Sequence, residues 1–413
     1  MQRKVRVVLV SNRGEVLGQL PILSVAVPWW SEVESVIAAV RDTHGIEVIV
    51  LRLLDVTEPQ RMGGGTATYL AQIDLAQINE VQINQSQADQ PVTCAPWDGT
   101  LSQHQNRLSY AEAGGPRRDL AWARDVLVAQ GTPLQGRPVQ LRTWNLSCLW
   151  RLPTAGGDVW MKVLPPFFAH EPLMIEALGQ WACTPTLLAH DGNRMLLADI
   201  PGEDLYTATL AQRLHMIELL VPIQQQWIDR EAQLLAIGAR DMRLARFNVC
   251  VPQAIQREWS HLSAAEQGTL QGLMDGLQER LHTIEQCGLP NTLLHGDFHA
   301  GNVRGSGLAM TILDWADCGV GNPMLDEGAF VLSAPEDWRE QIRTALRDAW
   351  RQVVPGSDPD TANHLLAPVA AVYAAYVYQG FLDAIEPSEH LYHAADPVAC
   401  LRRAVRLLNA NSL

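Results

Sequence analysis

The segment from Leu293 to Asn302, LLHGDFHAGN, constrains this chain more than any other. A short apolar stretch, Thr292 to Leu294, predicts a strand that leads into the segment and places Asp297 on the following loop. Asn302 comes five residues after Asp297. A second short apolar strand, in TILDW, then delivers Asp314. A carboxylate, an amide and a second carboxylate therefore follow two short strands in a fixed order.

These three side chains supply the groups that phosphoryl transfer requires. One carboxylate must accept the proton of the attacking hydroxyl, and oxygen ligands must hold Mg²⁺ on the donor phosphates. Asp297 suits the first task, and Asn302 and Asp314 suit the second. A single Asp or Asn in a loop more often serves a turn. Turn chemistry does not account for the whole succession of strand, HGD-x-H-x-x-N, second strand and Asp-Trp.

HGDFHAGN followed by ILDW resembles the catalytic core of the aminoglycoside phosphotransferase family, which has the protein-kinase fold. Gly296 stands where protein kinases carry Arg, and Trp315 where they carry Phe; both differences match the small-molecule branch. The resemblance implies a catalytic place for His299, near the transferred phosphoryl group. It also implies that Asp326 braces the catalytic loop, and His295 is expected to order that loop through hydrogen bonds.

A kinase-like fold requires a small, strand-rich lobe before the catalytic loop. Short strands are predicted at 139–144, 148–152 and 159–163, with turns between them. The third strand contains Lys162, which resembles the phosphate-binding lysine of the family and is costly to bury unpaired. Ser147, in the polar turn that replaces a glycine-rich loop, is a candidate phosphate contact.

The carboxylate partner of Lys162 is expected on a helix predicted over Phe167 to Trp181. Glu171 and Glu176 are both candidates, and the resemblance favours Glu171. Pro172 restricts Glu171 to the start of the helix, so both candidates stay open.

The segment LLADIPGEDL, residues 196–205, is predicted to be the last strand of the small lobe, running into the hinge between the lobes. The resemblance implies that backbone groups from Ala198 to Ile200 bind the purine base of ATP or GTP. Pro201 and Gly202 are expected to end the strand. An ordinary strand and turn explain this segment equally well.

Residues 1–128 are not required by a kinase fold. Their predicted order is a strand, a helix from Trp29 to His44 closed by Gly45, and two further strands, which resembles a Nudix domain. A working Nudix helix carries R-E-U-x-E-E-x-G-U, whereas this chain keeps only Asp42 as an acid at the corresponding positions. The predicted role is a scaffold or a binding module rather than hydrolysis.

The fold prediction is an α+β protein in which a bilobal, protein-kinase-like fold follows a Nudix-like α/β domain. The Nudix-like domain is assigned to 1–128, the β-rich N-lobe to 129–200 and the helical C-lobe to 201–413. Acidic residues after the catalytic loop are candidates to meet a cationic acceptor: Asp383, Glu386 and Glu389.

Composition narrows the possible partners and compartment. A formal net charge of −14 disfavours nucleic-acid binding, which relies on basic patches. No apolar run approaches the roughly 20 residues of a membrane span, so no membrane partner is expected. The seven scattered cysteines favour reduced thiols and a cytoplasmic location. Gln77 to Gln90, rich in Gln and Asn, is predicted to be an exposed loop.

The resemblance implies a Mg²⁺-dependent kinase that moves the γ-phosphate of ATP or GTP to a hydroxyl of a small molecule. Aminoglycosides, amino alcohols and sugars are all acceptors within the family, and a fold does not choose among them. The rival hypothesis is a non-enzymatic nucleotide-sensing or scaffold protein, built from degenerate kinase and Nudix folds. The acceptor, the choice between ATP and GTP, and the oligomeric state stay open.

Overall fold

The computed structural model describes residues 3–58, 63–73 and 94–410. The loop predicted over Gln77 to Gln90 lies outside these residues. The chain divides into two compact units. Unit 1 comprises Met1–Ala169, Leu188–Asp199 and Leu382–Ala394. Unit 2 comprises His170–Leu187, Ile200–Phe381 and Ala395–Leu413.

The first sheet of unit 1 is mixed and has five strands. They are β1 (Arg3–Val10), β2 (Val16–Gln19), β3 (Leu23–Val25), β4 (Val48–Thr57) and β5 (Thr66–Ile73). β1 runs parallel to β5, and the other strand pairs are antiparallel. The valines of β1 are fully buried, as expected for a central strand covered on both faces.

The helix of this sheet, α1 (Glu34–His44), begins later than the sequence predicts. Trp29 forms a β-bridge with Gly63, and the Trp30 indole N–H donates to the Gly64 carbonyl at 3.0 Å, so this segment is held outside the helix. The predicted end at Gly45 is confirmed. Gly45 has a φ of 66°, the left-handed conformation that favours glycine after a helix.

The second sheet of unit 1 is antiparallel, in the order β6-β7-β8-β10-β9. Its strands are β6 (Val139–Trp144), β7 (Ser147–Thr154), β8 (Gly157–Val163), β9 (Leu187–Asp191) and β10 (Arg194–Ala198). The helix α2 (Gly115–Ala129) packs on this sheet, where Ala123 and Leu127 share a core with Trp150 and Met161. The three predicted small-lobe strands are therefore confirmed.

Hydrogen bonds join the two sheets of unit 1. The Gln140 side chain accepts from the Val50 N–H at 2.9 Å and donates to the Val50 carbonyl at 2.7 Å. The Val33 N–H donates to the Leu141 carbonyl at 3.0 Å. A buried amide that meets both backbone groups of a neighbouring strand fixes the register between the sheets.

The segment Leu382–Ala394 belongs to unit 1 although it follows unit 2 in sequence. Glu386 accepts hydrogen bonds from Arg107, with the shortest at 2.8 Å, and pairs with Arg52 at 3.4 Å. Glu389 is only 3% exposed, and burial raises its pKa to about 8. Glu386 and Glu389 are therefore not available to a cationic acceptor, contrary to the expectation from sequence.

Unit 2 is mainly helical, as the sequence predicts, and carries two three-stranded sheets. Its helices are α3 (Glu171–Ala177), α4 (Leu210–Gln226), α5 (Glu231–Ile237), α6 (Leu244–Arg257), α7 (Ala264–Asp275), α8 (Leu277–Gln286), α9 (Glu327–Leu332), α10 (Arg339–Val353), α11 (Pro359–Ala384) and α12 (Asp396–Ala410). Its strands are β11 (Glu203–Asp204), β12 (Arg240–Met242), β13 (Thr292–Leu294), β14 (Val303–Ser306), β15 (Ala309–Ile312) and β16 (Gly319–Gly321).

The helix α11 is long and apolar enough, by length and composition, to cross a membrane, with a mean hydropathy of 1.5 in its most apolar window. The prediction from uninterrupted apolar runs does not single out α11, because His364 and Gln379 interrupt its apolar stretch. Half of that window is buried inside the protein. Because the core helix of a globular protein meets the same two criteria, α11 is weak evidence for a membrane span.

Candidate active site

The strand β13 positions the catalytic loop. Its three residues are fully buried, and it pairs antiparallel with β16 through Leu293 and Val320. β16 pairs in turn with β12, in parallel. A buried three-stranded sheet therefore fixes the start of the loop that carries Asp297.

The carboxylate of Asp326 holds this loop in place through hydrogen bonds to its backbone. One of its oxygens accepts the His295 N–H and the other accepts the Gly296 N–H, both at 2.9 Å. The Gln224 side chain donates a further hydrogen bond at 2.9 Å. Burial raises the pKa of Asp326, and the facing His295 opposes that rise. These contacts agree with the bracing role that the family resemblance implies.

Gly296 is required by the geometry of the loop. Its φ is 83°, and a Cβ at this position would lie 2.0 Å from the Asp317 carbonyl oxygen. No larger residue fits there without moving the backbone. The glycine found where protein kinases carry arginine is therefore explained by the close approach of the Asp317 segment.

The His295 ring joins the catalytic loop to the strand that delivers Asp314. Nε2 donates to the Leu313 carbonyl at 2.7 Å, and Nδ1 accepts from the Asp297 N–H at 3.3 Å. The Leu313 N–H also donates to the Asn302 carbonyl at 2.7 Å, so the two segments are held together twice.

Asp297, His299 and Asn302 lie together as one polar group. The Asn302 Nδ2 donates to the Asp297 carbonyl at 2.9 Å and to its carboxylate at 3.2 Å. The His299 Nε2 lies 3.5 Å from the same carboxylate oxygen, while its Nδ1 accepts the Gly301 N–H at 3.0 Å. The Asp297 side chain stays 48% exposed, so an incoming hydroxyl can reach it.

Electrostatics favour the ionised form of Asp297. Burial by itself would raise the pKa of the Asp297 carboxyl. The neighbouring His299 lowers that pKa, and the net pKa lies below the usual value for aspartate. An ionised carboxylate accepts hydrogen bonds only. Asp297 is therefore a hydrogen-bond acceptor at neutral pH.

Asp314 adopts an uncommon backbone conformation, with φ of 61° and ψ of 63°. Aspartate tolerates this left-handed region better than most residues. The next N–H, of Trp315, donates to the Glu171 carboxylate at 3.1 Å. Glu171 is 1% exposed at the start of α3, whereas Glu176 is exposed. Glu171 therefore holds the segment that presents Asp314, a contact that Glu176 does not make.

The donor set fits a magnesium ion bound mainly through a nucleotide. Within residues 3–58, 63–73 and 94–410, no group of three His, Cys, Asp or Glu side chains could hold a metal by itself. Mg²⁺ on a nucleotide needs only one or two protein ligands, with phosphates and water completing its shell. Because Nδ2 of Asn302 is engaged by Asp297, its Oδ1 is the atom that can serve with Asp314.

The other predicted site residues are distributed over both units. In unit 1, Lys162 lies within β8 between Leu149 and Met195. Ser147 begins β7, and its hydroxyl accepts from the Trp144 indole at 3.2 Å.

The predicted hinge residues lie at the end of β10 and just beyond it. Ala198 is the last residue of β10 and pairs with Val159. Ile200 lies in unit 2, where its carbonyl accepts from the Arg304 Nε at 2.8 Å. That carbonyl therefore already accepts one hydrogen bond within the chain.

One contact near the loop was not predicted from the sequence. Arg240 pairs with Asp317 at 2.5 Å, and the Arg240 guanidinium lies 5.5 Å from the centre of the Phe381 ring. Burial raises the pKa of Asp317 and Arg240 opposes the rise. Sequence alone marks Asp317 as an ordinary turn residue, because its partner lies 77 positions away.

Residues 181–364 match the model of the phosphotransferase enzyme family. This match covers less than half of the chain and agrees with the phosphotransferase prediction over these residues. A comparison with curated proteins gives no significant match.

Solved structures of phosphotransferases and kinases share the fold. Choline kinase LicA from Streptococcus pneumoniae has a TM-score of 0.51 at 11% identity, covering 71% of this chain and 99% of that chain. The GDP and kanamycin complex of APH(2″)-IIIa has a TM-score of 0.50 at 13% identity, covering 71% and 100%. At such identities the likeness establishes the fold alone. The predicted α+β, protein-kinase-like fold is therefore confirmed, and the Nudix-like resemblance of residues 1–128 stays a prediction.

Proposed function

We propose that this protein transfers the γ-phosphoryl group of ATP or GTP to a hydroxyl of a small molecule. The observation that carries this proposal is the group formed by Asp297, His299 and Asn302 on a loop braced by Asp326. Phosphoryl transfer depends mainly on positioning and on charge stabilisation. A loop whose backbone N–H groups are held by a buried carboxylate provides such positioning.

The proposed reaction gives each of these side chains one task. Asp297 accepts the hydroxyl proton as the acceptor oxygen bonds to the γ-phosphorus, and the bond to the β-phosphate oxygen breaks. Asn302 Oδ1 and Asp314 would hold Mg²⁺, which would neutralise charge on the donor phosphates. His299, whose Nε2 lies 3.5 Å from the Asp297 carboxylate, orients that group.

The roles of the remaining predicted residues rest on the family resemblance. Lys162 is proposed to bind the donor phosphates and Ser147 to contact them. The backbone near Ala198 is proposed to bind the base, with the Ile200 N–H as a further donor. Glu171 is proposed to orient Lys162, and its bond to the Trp315 N–H supports a second role in fixing the segment of Asp314.

The proposed acceptor is of the aminoglycoside, amino alcohol or sugar type. One structure with this fold is a choline kinase, and another is a complex with GDP and kanamycin. The net charge of −14 is compatible with a cationic acceptor. The N-terminal sheet is proposed to be a scaffold without hydrolytic activity. Its α1 offers Asp42 in place of the several glutamates that a Nudix helix uses.

The Asp314→Asn variant tests the metal assignment. Loss of a metal-binding carboxylate should weaken Mg²⁺-dependent binding of a nonhydrolysable nucleotide by about 10- to 100-fold. Binding of the nucleotide without Mg²⁺ should be unchanged. Isothermal titration with and without Mg²⁺ measures both values, and Asp275→Asn, at an exposed end of α7, is the matched control. Equal Mg²⁺ dependence in the Asp314 variant and in the control contradicts the assignment.

A further inference from the structure

A cavity of about 630 Å³ lies in unit 2 among α9, α10, α11 and α12. No residue assigned to the phosphotransfer site lines it. Pockets that hold small molecules usually measure about 300–1,000 Å³. The cavity is therefore large enough for a ligand of its own.

Most of the charge on the cavity wall is already neutralised. Arg347 donates two hydrogen bonds to Glu327, at 2.8 and 2.9 Å, and one to Asp360 at 2.8 Å. Asp360 also pairs with Arg351. Arg343 bonds Glu340 at 3.2 Å. Each of these carboxylates is paired with an arginine of α10. None of them is therefore left to bind a further cation.

Arg403 of α12 is the exception. Its guanidinium nitrogen lies 3.6 Å from the place that a Cβ on Gly328 would occupy, on the wall of the cavity. Among the residues that the structure describes, no carboxylate pairs with it. Burial lowers the pKa of Arg403, Cys400 opposes this shift, and Arg406 adds to it. A desolvated charge with no partner is costly unless an anion meets it.

The rest of the wall is largely apolar. Val331 and Leu332 of α9, Leu366 of α11 and Leu407 of α12 contribute aliphatic surface. A ligand that fits this lining combines an apolar body with one anionic end. The planar fork of a guanidinium matches the two oxygens of a carboxylate or a phosphate.

We propose that this cavity binds a small organic anion, whose carboxylate or phosphate monoester is held by Arg403 and whose apolar body rests on the leucines. The site is separate from the phosphotransfer site. Met324 and Leu325, directly before Asp326, form part of the same wall. A bound anion therefore lies against the segment that braces the catalytic loop.

Titration calorimetry on the full-length protein tests this proposal. Phenyl phosphate and benzoate are the anionic probes, inorganic phosphate lacks the apolar body, and phenol lacks the charge. Saturating Mg²⁺–GDP is present to occupy the nucleotide site. We expect at least one anionic aromatic probe to bind more tightly than phosphate or phenol. We expect Arg403→Met to weaken that binding about tenfold or more, the scale of one lost charge-assisted contact.

Arg402→Met is the matched control. Arg402 is the adjacent residue of α12, but it is half-exposed and pairs with Glu266 at 3.0 Å. This variant should bind the probes as the wild type does. Equal binding by the Arg403 variant, equal losses in both variants, or no binding of either aromatic anion at millimolar concentration would each overturn the proposal.

A stability measurement separates a ligand site from a structural arginine. Without a probe, Arg403→Met should unfold at the same temperature as the wild type or higher, because it removes an uncompensated charge and keeps an apolar stem. If Arg403→Met unfolds several degrees lower, Arg403 is structural and the proposal fails. Arg403→Lys keeps the charge but loses the fork, and it should bind the probe with intermediate affinity.

Discussion

Replacing Tyr392 with alanine is expected to destabilise unit 1 by about 3–5 kcal/mol, the usual cost of removing a large buried ring. Tyr392 is 3% exposed and belongs to the core of the N-terminal sheet. Its ring meets Trp30 edge-on at 5.8 Å and Trp144 at 5.6 Å between ring centres. The alanine variant would leave a cavity between these two tryptophans.

Tyr392→Phe is the matched control for this prediction. Among the described residues, no group accepts or donates a hydrogen bond to the buried Tyr392 hydroxyl. Phenylalanine keeps the ring and removes that hydroxyl, so we expect stability equal to or above that of the wild type. Chemical denaturation followed by tryptophan fluorescence compares the variants. If the alanine variant is no less stable than the phenylalanine variant, the segment Leu382–Ala394 does not hold unit 1 together.

The Tyr392 comparison also tests the scaffold role proposed for the N-terminal sheet. The segment that carries Tyr392 brings Glu386 to Arg52 of the first sheet and Glu389 to Asn145 of the second. The Asn145 side chain donates to the Glu389 carbonyl at 3.3 Å. Both sheets therefore depend on residues that lie late in the chain. Destabilisation by Tyr392→Ala is the result expected if the N-terminal sheet supports the small-lobe sheet.

Asp297→Asn is expected to lower turnover by about 10²- to 10⁴-fold, the usual contribution of a positioned acid or base. The amide has nearly the same shape as the carboxylate, but it cannot accept a proton from the acceptor hydroxyl. The bonds from Asp326 to the loop backbone do not involve the Asp297 side chain. The loop should therefore stay in place, and nucleotide affinity should change little.

Single-turnover rates and nucleotide titrations separate these two effects. Asp275→Asn, an exposed aspartate of α7, controls for the charge change and should match the wild type in both assays. If Asp297→Asn loses nucleotide affinity as strongly as turnover, Asp297 acts on the metal–nucleotide complex and not as the base. A variant with wild-type turnover would remove Asp297 from the mechanism.

The sequence predicts those parts of the site that lie close together in the chain. Asn302 lies five residues from Asp297, and its contact to that carboxylate is local. The end of α1 at Gly45 is likewise local, since it depends on one glycine in a left-handed conformation. Such features follow from spacing and backbone preference, so one sequence suffices to predict them.

Contacts between segments that lie far apart in the sequence leave no comparable pattern in the sequence. The pairing of Arg240 with Asp317 depends on β12 lying beside β16, which no short pattern in the sequence specifies. The burial of Glu386 is a second case. Its partners Arg52 and Arg107 precede it by more than 270 residues. From the sequence alone, acidic residues in a helical C-terminal region suggest a solvent-exposed face. The arginines that bury Glu386 become visible only in the tertiary structure.

Transfer of a labelled γ-phosphoryl group from ATP or GTP to a panel of aminoglycosides, amino alcohols and sugars in the presence of Mg²⁺ tests the proposed phosphotransfer site most directly. We expect a labelled acceptor product with the wild-type protein, and far less of it with Asp297→Asn. Labelled product formed at the same rate by both proteins would contradict the proposed phosphotransfer site.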